Sequence, residues 1–500
     1  MGNVIIVGAG IAGLAAGIYA QRSGFDAVIY ESHSLPGGAS TSWRRKGYLF
    51  EGGMHWLTGS SPKTALYRLW REVGALDDTV NILYRDPFFV LDYEGTEVCL
   101  YRDAEKLRAH FLKISPEDEG EINALCDDIK KFENVSMPIS NVRGVKTREK
   151  TAFSLPGLYK TLRAVPRMIF YTSVTVKEYA ARFQSPAIRL LLESAIGPEQ
   201  SATGLVFTIA TLTGGDGGYP EGGSLAMTRR MAALFERLGG KIVYSQKVAR
   251  VLTQNGEATG VELADGTSVN ADAVIVTQDT RMAVDTLFAP PLDEPWMKRM
   301  RENTKPLLNT FIALGVEADL SELPERLHFV PDEPFFYGGR QEPVVNLCNY
   351  AGYSGYAPDG CTALTCILTG DTYDFWKAAK ENGSYRAEKE KLAKSYIGLL
   401  ARKFPQTAGK IAVWDVATPL TYERYLSSYR GSWMSVPPTG AAPAAYPCKS
   451  ESVKNLYFAG QRLMNPGGTP VALTTGRTAA QYLCKDFKHA FIGREGKEFR

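Results

Sequence analysis

Apolar and polar positions along this chain switch between the strand and helix periods, most clearly in the first thirty-one residues. The unbroken apolar run Val4-Ile5-Ile6-Val7 predicts a buried parallel strand. A helical pattern then runs to Ser23 and stops at Gly24, and a second apolar run over 27–30 ends in Glu31. Between strand and helix lie Gly8, Gly10 and Gly13. Gly8 permits a tight turn, Gly10 lets the backbone approach a pyrophosphate, and Gly13 lets the helix pack close to the strand. The free N–H groups at the helix start, at Ile11 and Ala12, face such a phosphate with the favourable end of the helix dipole. Glu31, eighteen residues beyond Gly13, can accept hydrogen bonds from a ribose diol, with Ser32 beside it. Strand, glycine turn, helix, strand and acid in this order predict a dinucleotide-binding unit.

A second glycine turn, Gly37-Gly38-Ala39-Ser40, and the stretch Glu51-Gly52-Gly53-Met54-His55-Trp56 follow directly and read as a second cofactor contact. Ser61-Pro62, Ser115-Pro116 and Ser185-Pro186 each predict a helix start, and Thr175-Val176-Lys177-Glu178 a capping box. Residues 103–133 predict charged helix with a solvated face. Residues 141–171 interleave basic and apolar side chains, which suits either contact with an anionic membrane surface or a helical cap over a pocket. After the glycine run 214–224, a helix over 224–238 and strands over 241–244 and from Val248 predict a return to the cofactor unit. Asn255-Gly256 and Asp265-Gly266 are hairpin turns, and 273–277 is a last buried strand. Strands over 308–316, 344–350, 362–369 and 411–417 and a helix over 385–403 predict a sheet that walls a pocket. Finally a strand ending at Gly460, a glycine loop through Gly468, and a helix beginning near Thr469 and Val471 present a second helix N-terminus to negative charge.

Composition narrows the class. Five hundred residues exceed one core and predict at least two domains. A formal net charge of +3 argues against a general nucleic-acid binder. Seven scattered cysteines without ligand spacing predict reduced thiols in a cytoplasmic protein, possible membrane contact aside. The early first strand predicts no cleavable signal, and no apolar run is long enough to span a membrane. Five scattered histidines offer no metal set and no nucleophilic triad.

The second glycine pair resembles that of the large flavoproteins built like glutathione reductase, although many of these carry Arg where this chain has Ala39. A backbone-only contact, or Arg44 or Arg45, would serve in its place. The Gly-Tyr-Pro-Glu-Gly segment at 218–222, Ala357-Pro358-Asp359-Gly360, Thr418-Pro419-Leu420-Thr421 with Arg424-Tyr425, and Pro466-Gly467-Gly468-Thr469-Pro470 together resemble the carotenoid desaturase, carotenoid isomerase and retinol saturase group. The resemblance implies an α/β fold: a glutathione-reductase-like Rossmann FAD-binding domain (1–100, 221–290, 419–500) with an interwoven mixed α+β substrate domain (101–220, 291–418). It implies FAD held without a covalent bond, because Cys448 and Cys484 are poorly placed for one. It also implies a long apolar isoprenoid or polyene substrate, desaturated, saturated or isomerised by hydride transfer at flavin N5. His55 is the ionisable residue expected near the flavin, as a proton donor or as a structural histidine. Amine oxidases share the scaffold, but Asn465-Pro466-Gly467-Gly468 lacks their aromatic residue. A flavin-containing binding protein without turnover is the alternative outside enzymes. Oligomeric state is not legible.

Overall fold

The computed structural model describes residues 2–133, 135, 139–148, 165–441 and 443–494. A five-stranded, wholly parallel sheet is assembled from distant parts of the chain: Lys241–Val243, Asp26–Tyr30, Asn3–Val7, Ala273–Val276 and Leu456–Phe458, in that spatial order. Its strands are short apolar runs because both faces are covered, one by helices and the other by a three-stranded meander with two short helices. The helix Ile11–Arg22 is buried at every position from Ile11 to Ala20. It fits only because glycine stands where its neighbours come closest. A Cβ on Gly17 would lie 2.8 Å from the Phe235 ring, and one on Gly476 2.5 Å from the Ala12 carbonyl oxygen. A three-stranded meander, Val248–Gln254, Glu257–Leu263 and Ser268–Asn270, packs on the same sheet.

A second sheet of seven strands runs Ile411–Ala417, Asn309–Val316, Thr362–Thr369, Val345–Asn349, Arg326–Phe329, Phe89–Tyr93, Thr96–Leu100. Asn309–Val316 is buried throughout, and alternate residues serve two cores. Ile312 and Leu314 belong to the core that includes the helix Tyr385–Lys403, whereas Phe311 and Ala313 belong to the core that holds Tyr48 and Phe50 of the cofactor side. A helical unit, including Ala104–Ile114, Glu119–Phe132, Pro186–Ile196 and Ala202–Thr213, encloses a third core.

Three expectations are corrected. Phe89–Tyr93 and Thr96–Leu100, read into the first cofactor segment, hydrogen-bond into the seven-stranded sheet through Leu327–Phe329. Ser61-Pro62 does not start a helix: the helix Ala65–Glu72 is capped by Thr64, and Ser61 gives its N–H to Asp216 at 2.9 Å. Pro116 opens only a short 3₁₀ turn, Pro116–Asp118, before the next helix. The Thr175–Glu178 capping box and the Ser185 cap form as read. Much of the basic stretch 141–171 lies outside the described residues. At its described end, Tyr171 is buried with its hydroxyl on Asp128, which also pairs with Arg167 at 2.5 Å. No helix among the described residues is long and apolar enough to cross a membrane.

Candidate active site

Parallel register aligns Val7 with Tyr30 and with Val276, and Val276 with Phe458. Gly8, Glu31, Thr277 and Gly460 therefore leave the sheet along one edge. Chain order reverses about the first strand, which opens a crevice at that edge. The helix Ile11–Arg22 starts there from Gly10 with no side-chain cap, so the N–H groups of Ile11 and Ala12 point out of its end. Gly13 has no alternative, since a Cβ would lie 1.9 Å from the Gly8 carbonyl oxygen. In front of Gly10 the nearest atom to a Cβ is the Gly37 carbonyl oxygen at 3.9 Å. Gly37 is itself pinned by its N–H on the Ala9 carbonyl at 2.9 Å. The two glycine turns are thus hydrogen-bonded side by side at an uncapped helix end, a backbone cradle that fits a diphosphate.

Glu31 is buried with both oxygens engaged. Oε2 accepts the Ala9 N–H at 2.7 Å, and Oε1 accepts the His33 N–H at 2.8 Å and the Ser32 hydroxyl at 3.3 Å. A carboxylate has about four lone-pair sites, so an acceptor position remains for a diol. Among the other expected contacts, Ala39 is half-buried and Ser40 is buried with its N–H on Gly37. Val248, Val471 and Met54 are core side chains. The Met54 N–H belongs to Glu51. Gly460 gives its N–H to the Thr475 hydroxyl at 2.9 Å, and Gly468, with φ +113°, precedes the uncapped start of Thr469–Asp486.

From this edge a cavity of about 1160 Å³ extends past Glu31 and Gly38, between Trp43 and Leu49, to Leu420 and Tyr422. Its walls therefore include Glu31, just past a strand of the five-stranded sheet, and Asp415, Val416 and Ala417 of the seven-stranded one. Arg44 spends its guanidinium on the Gly47 and Gly355 carbonyls, and Arg45 pairs with Asp415 at 3.4 Å. Arg229, which sequence reading did not single out, lines the same cavity. Its neighbour Thr228 sits under the second glycine turn, with Oγ1 2.9 Å from where a Gly37 Cβ would be. Arg229 forms no ion pair among the described residues. Its only sequence signal was its place on the first turns after a glycine run.

Glu51 was read only as part of its stretch, with no role of its own. Wholly buried, it accepts the N–H groups of Gly53 (2.8 Å), Met54 (3.1 Å) and Ser224 (2.8 Å) and the hydroxyls of Ser42 (3.2 Å) and Tyr219 (3.0 Å). One carboxylate thus ties the hairpin Ser42–Glu51, the glycine run and the helix Gly223–Arg237 together. His55 follows. Its carbonyl accepts from Arg85 at 3.1 Å, and its imidazole faces Arg326, Arg85 and His328. Burial first, then these neighbours, hold it well below the usual histidine range, so it is neutral. His328 is pushed down to about 3, by burial and then Arg326. All seven cysteines are unpaired, and only Cys361 is not buried.

The sequence profile described as "Flavin containing amine oxidoreductase" matches residues 11–484. The chain is 24% identical to a phytoene desaturase (lycopene-forming) of Paracoccus over 98% of each sequence. It is 23% identical to the chloroplastic prolycopene isomerase of Daucus carota over 97% of this chain and 80% of that one. Among solved structures, cyclohexylamine oxidase from Brevibacterium oxydans superposes with a TM-score of 0.61 at 18% identity, covering 97% of this chain and 99% of that one. The Rossmann-type sheet, the adjoining glycine turns and the uncapped helix ends are what a flavin-dependent oxidoreductase of this fold requires. With the match running over nearly the whole length, the chain belongs to the flavin-containing amine oxidoreductase family.

Proposed function

We propose that this chain is an FAD-dependent oxidoreductase acting on C–C or C=C bonds of a long apolar isoprenoid or polyene. The observation that carries this reading is the continuous cavity from Glu31 and Gly38 to the apolar wall at Trp43, Leu420 and Tyr422. The near full-length likeness to a phytoene desaturase and a prolycopene isomerase supports it.

In this reading FAD is bound without a covalent link. The backbone N–H groups of Gly10, Ile11, Ala12 and Gly38 hold its diphosphate, Gly8, Gly13 and Gly37 shape the two turns around it, Glu31 takes the ribose, and Arg229 supplies the positive charge that Ala39 lacks. The loop through Gly53 and the helix start at Gly468 and Thr469 flank the ring. Flavin supplies the hydride chemistry when bound. The chain's task is to orient the substrate and exclude water, and neutral His55 serves as a hydrogen-bonding group rather than a charged acid. In the same reading the FAD-binding pieces are 1–88, 221–290 and 419–500 and the substrate pieces 89–220 and 291–418, with 89–100 assigned by its pairing into the seven-stranded sheet. Membrane contact through 141–171 would give an apolar substrate a route, and liposome co-sedimentation tests it.

Amine oxidation is the second reading, favoured by the fold shared with cyclohexylamine oxidase. One experiment separates the two. One sample of the purified protein is denatured to release its cofactor, a second is incubated oxidised in air with phytoene and with alkylamines, and a third is photoreduced and incubated anaerobically with prolycopene and retinol. FAD in the supernatant and a changed polyene are expected. No releasable flavin, or hydrogen peroxide formed with alkylamines and no polyene turnover, overturns the proposal.

A further inference from the structure

The chain as a whole is nearly balanced, with 57 Lys and Arg against 54 Asp and Glu. The cavity wall is not: six Lys and Arg line it against three acids. Three of these cations lie on the cofactor side or are already engaged. Arg229 flanks the glycine turns, Arg44 is held by two carbonyls, and Arg45 is paired with Asp415. The other three, Lys380, Lys389 and Arg424, come from the substrate side. They stand on the helices Tyr373–Glu381, Tyr385–Lys403 and Pro419–Leu426, and none has an acidic partner among the described residues.

The two acids that the substrate side adds to the lining have other partners. Asp415 accepts from Trp43 Nε1 at 3.1 Å as well as from Arg45, and Glu423 accepts the Tyr373 hydroxyl at 2.9 Å. Lys389 is half-buried, with its ammonium 5.5 Å from the centre of the Tyr385 ring. The Tyr385 hydroxyl is fixed 2.7 Å from that of Thr418. The lining of the cavity thus includes three cations carried on separate helices without an ion-pair partner among the described residues. Lys380 and Arg424 are exposed, Arg424 also donating to the Tyr425 hydroxyl at 2.6 Å, and Lys389 is half-buried, so this part of the lining meets solvent with a surplus of positive charge that attracts an anion.

We infer that the substrate is not a pure hydrocarbon but an isoprenoid or polyene ending in an anionic group, a carboxylate or a phosphate, held by Lys380, Lys389 and Arg424. This rests on the polyene reading above and narrows it. The apolar tail lies along Trp43, Leu420 and Tyr422, and the charged end fixes which carbon reaches the flavin.

The test titrates the flavin-loaded protein with all-trans retinoic acid, all-trans retinol and geranylgeranyl phosphate, reading the flavin absorbance change and the quenching of tryptophan fluorescence. The acid or the phosphate is expected to bind about tenfold more tightly than the alcohol at low salt, a few-fold for each partly exposed charge. Whichever anion binds more tightly identifies the head group. The advantage should shrink in 0.5 M salt and vanish in Lys380→Gln/Lys389→Gln/Arg424→Gln. The salt arm uses the unaltered protein, so it holds even if the triple variant folds poorly. Equal binding of acid, phosphate and alcohol, or a preference unchanged by salt, overturns the inference and leaves the polyene reading standing. Failure of every polyene to perturb the flavin overturns both.

Discussion

Replacing Glu51 with glutamine tests whether one buried carboxylate organises the site. The amide has the same shape, so the effect is electrostatic. Glu51 serves five donors, two at Oε1 (the N–H groups of Gly53 and Met54) and three at Oε2 (Ser42, Tyr219 and the Ser224 N–H). If the new NH₂ faced Gly53 and Met54, two buried backbone donors would lose their acceptor. Facing the other way is better, because the Ser42 and Tyr219 hydroxyls can rotate to accept and only the Ser224 N–H is stranded. One orphaned buried N–H costs about 1–3 kcal/mol, and the bonds kept at the remaining oxygen weaken from charge-assisted to neutral. Together Glu51→Gln should lose about 2–4 kcal/mol.

Urea unfolding of the two proteins, followed by circular dichroism, reads this as a lower midpoint with an unchanged slope. Flavin content is the companion measurement. The favoured orientation keeps the acceptor for Gly53 and Met54, so Glu51→Gln should retain flavin while losing stability. Gly53→Ala should do the reverse in emphasis. Its Cβ would fall 2.7 Å from Ser224 Oγ and 2.8 Å from the Ala39 carbonyl oxygen, and the loop must move off the second glycine turn. A stability loss below about 0.5 kcal/mol for Glu51→Gln, the size of an ordinary surface change, would refute the reasoning.

Three further outcomes follow from the same geometry. Gly13→Ala drives a methyl to 1.9 Å from the Gly8 carbonyl oxygen and should abolish flavin retention, measured as the 450 nm absorbance per protein. Asp279 and Arg462 form a buried pair at 3.2 Å, and Asp279 also accepts the Tyr429 N–H at 3.0 Å. Asp279→Ala strands the guanidinium and should cost about 3–5 kcal/mol in urea unfolding. His55 and His328 are neutral in the fold, whereas the unfolded chain protonates near pH 6.5, so below that pH the unfolded state binds more protons. Stability is therefore complete above about pH 6.5 and falls as pH drops toward 3, by at most about 1.4 kcal/mol per unit for each histidine. In the double variant His55→Asn/His328→Asn, the midpoint temperature between pH 7 and 4.5 should fall less steeply than in the parent.

The local signals in the chain were sufficient for the cofactor edge. Strand, glycine spacing, helix and acid lie within thirty-one residues, and the steric reason for Gly13 is its own neighbour Gly8. The helix Tyr385–Lys403 and the strand Thr362–Thr369 were read with their observed limits because long periodic runs are bounded by turn residues. What periodicity cannot say is which sheet a strand joins. Phe89–Tyr93 looks the same whether it pairs near Asn3–Val7 or, as it does, beside Arg326–Phe329. Glu51 and Arg229 were illegible for a related reason. Each owes its role to partners more than 150 residues away, such as Ser224 for Glu51, or to a turn brought near by folding, such as Gly37 for Arg229.

The interweaving of the chain explains why the cofactor is easier to read than the substrate. The segment that closes the cavity, Pro419–Leu426, directly follows the edge strand Ile411–Ala417 of the seven-stranded sheet and precedes the return to Leu456–Phe458 of the five-stranded one. It touches both sides. Tyr425 meets the His33 ring edge-on at 5.2 Å, next to the nucleotide edge, while Leu420 and Tyr422 look onto the substrate wall. The nucleotide edge depends on glycines such as Gly13, where a Cβ would lie 1.9 Å from the Gly8 carbonyl oxygen. The opposite wall is built from side chains such as Leu420, Lys389 and Arg424, which can change without disturbing a strand or a turn. A fold of this kind can keep its flavin and exchange its substrate, so the cations on that wall bear on the substrate more directly than the glycine motifs do.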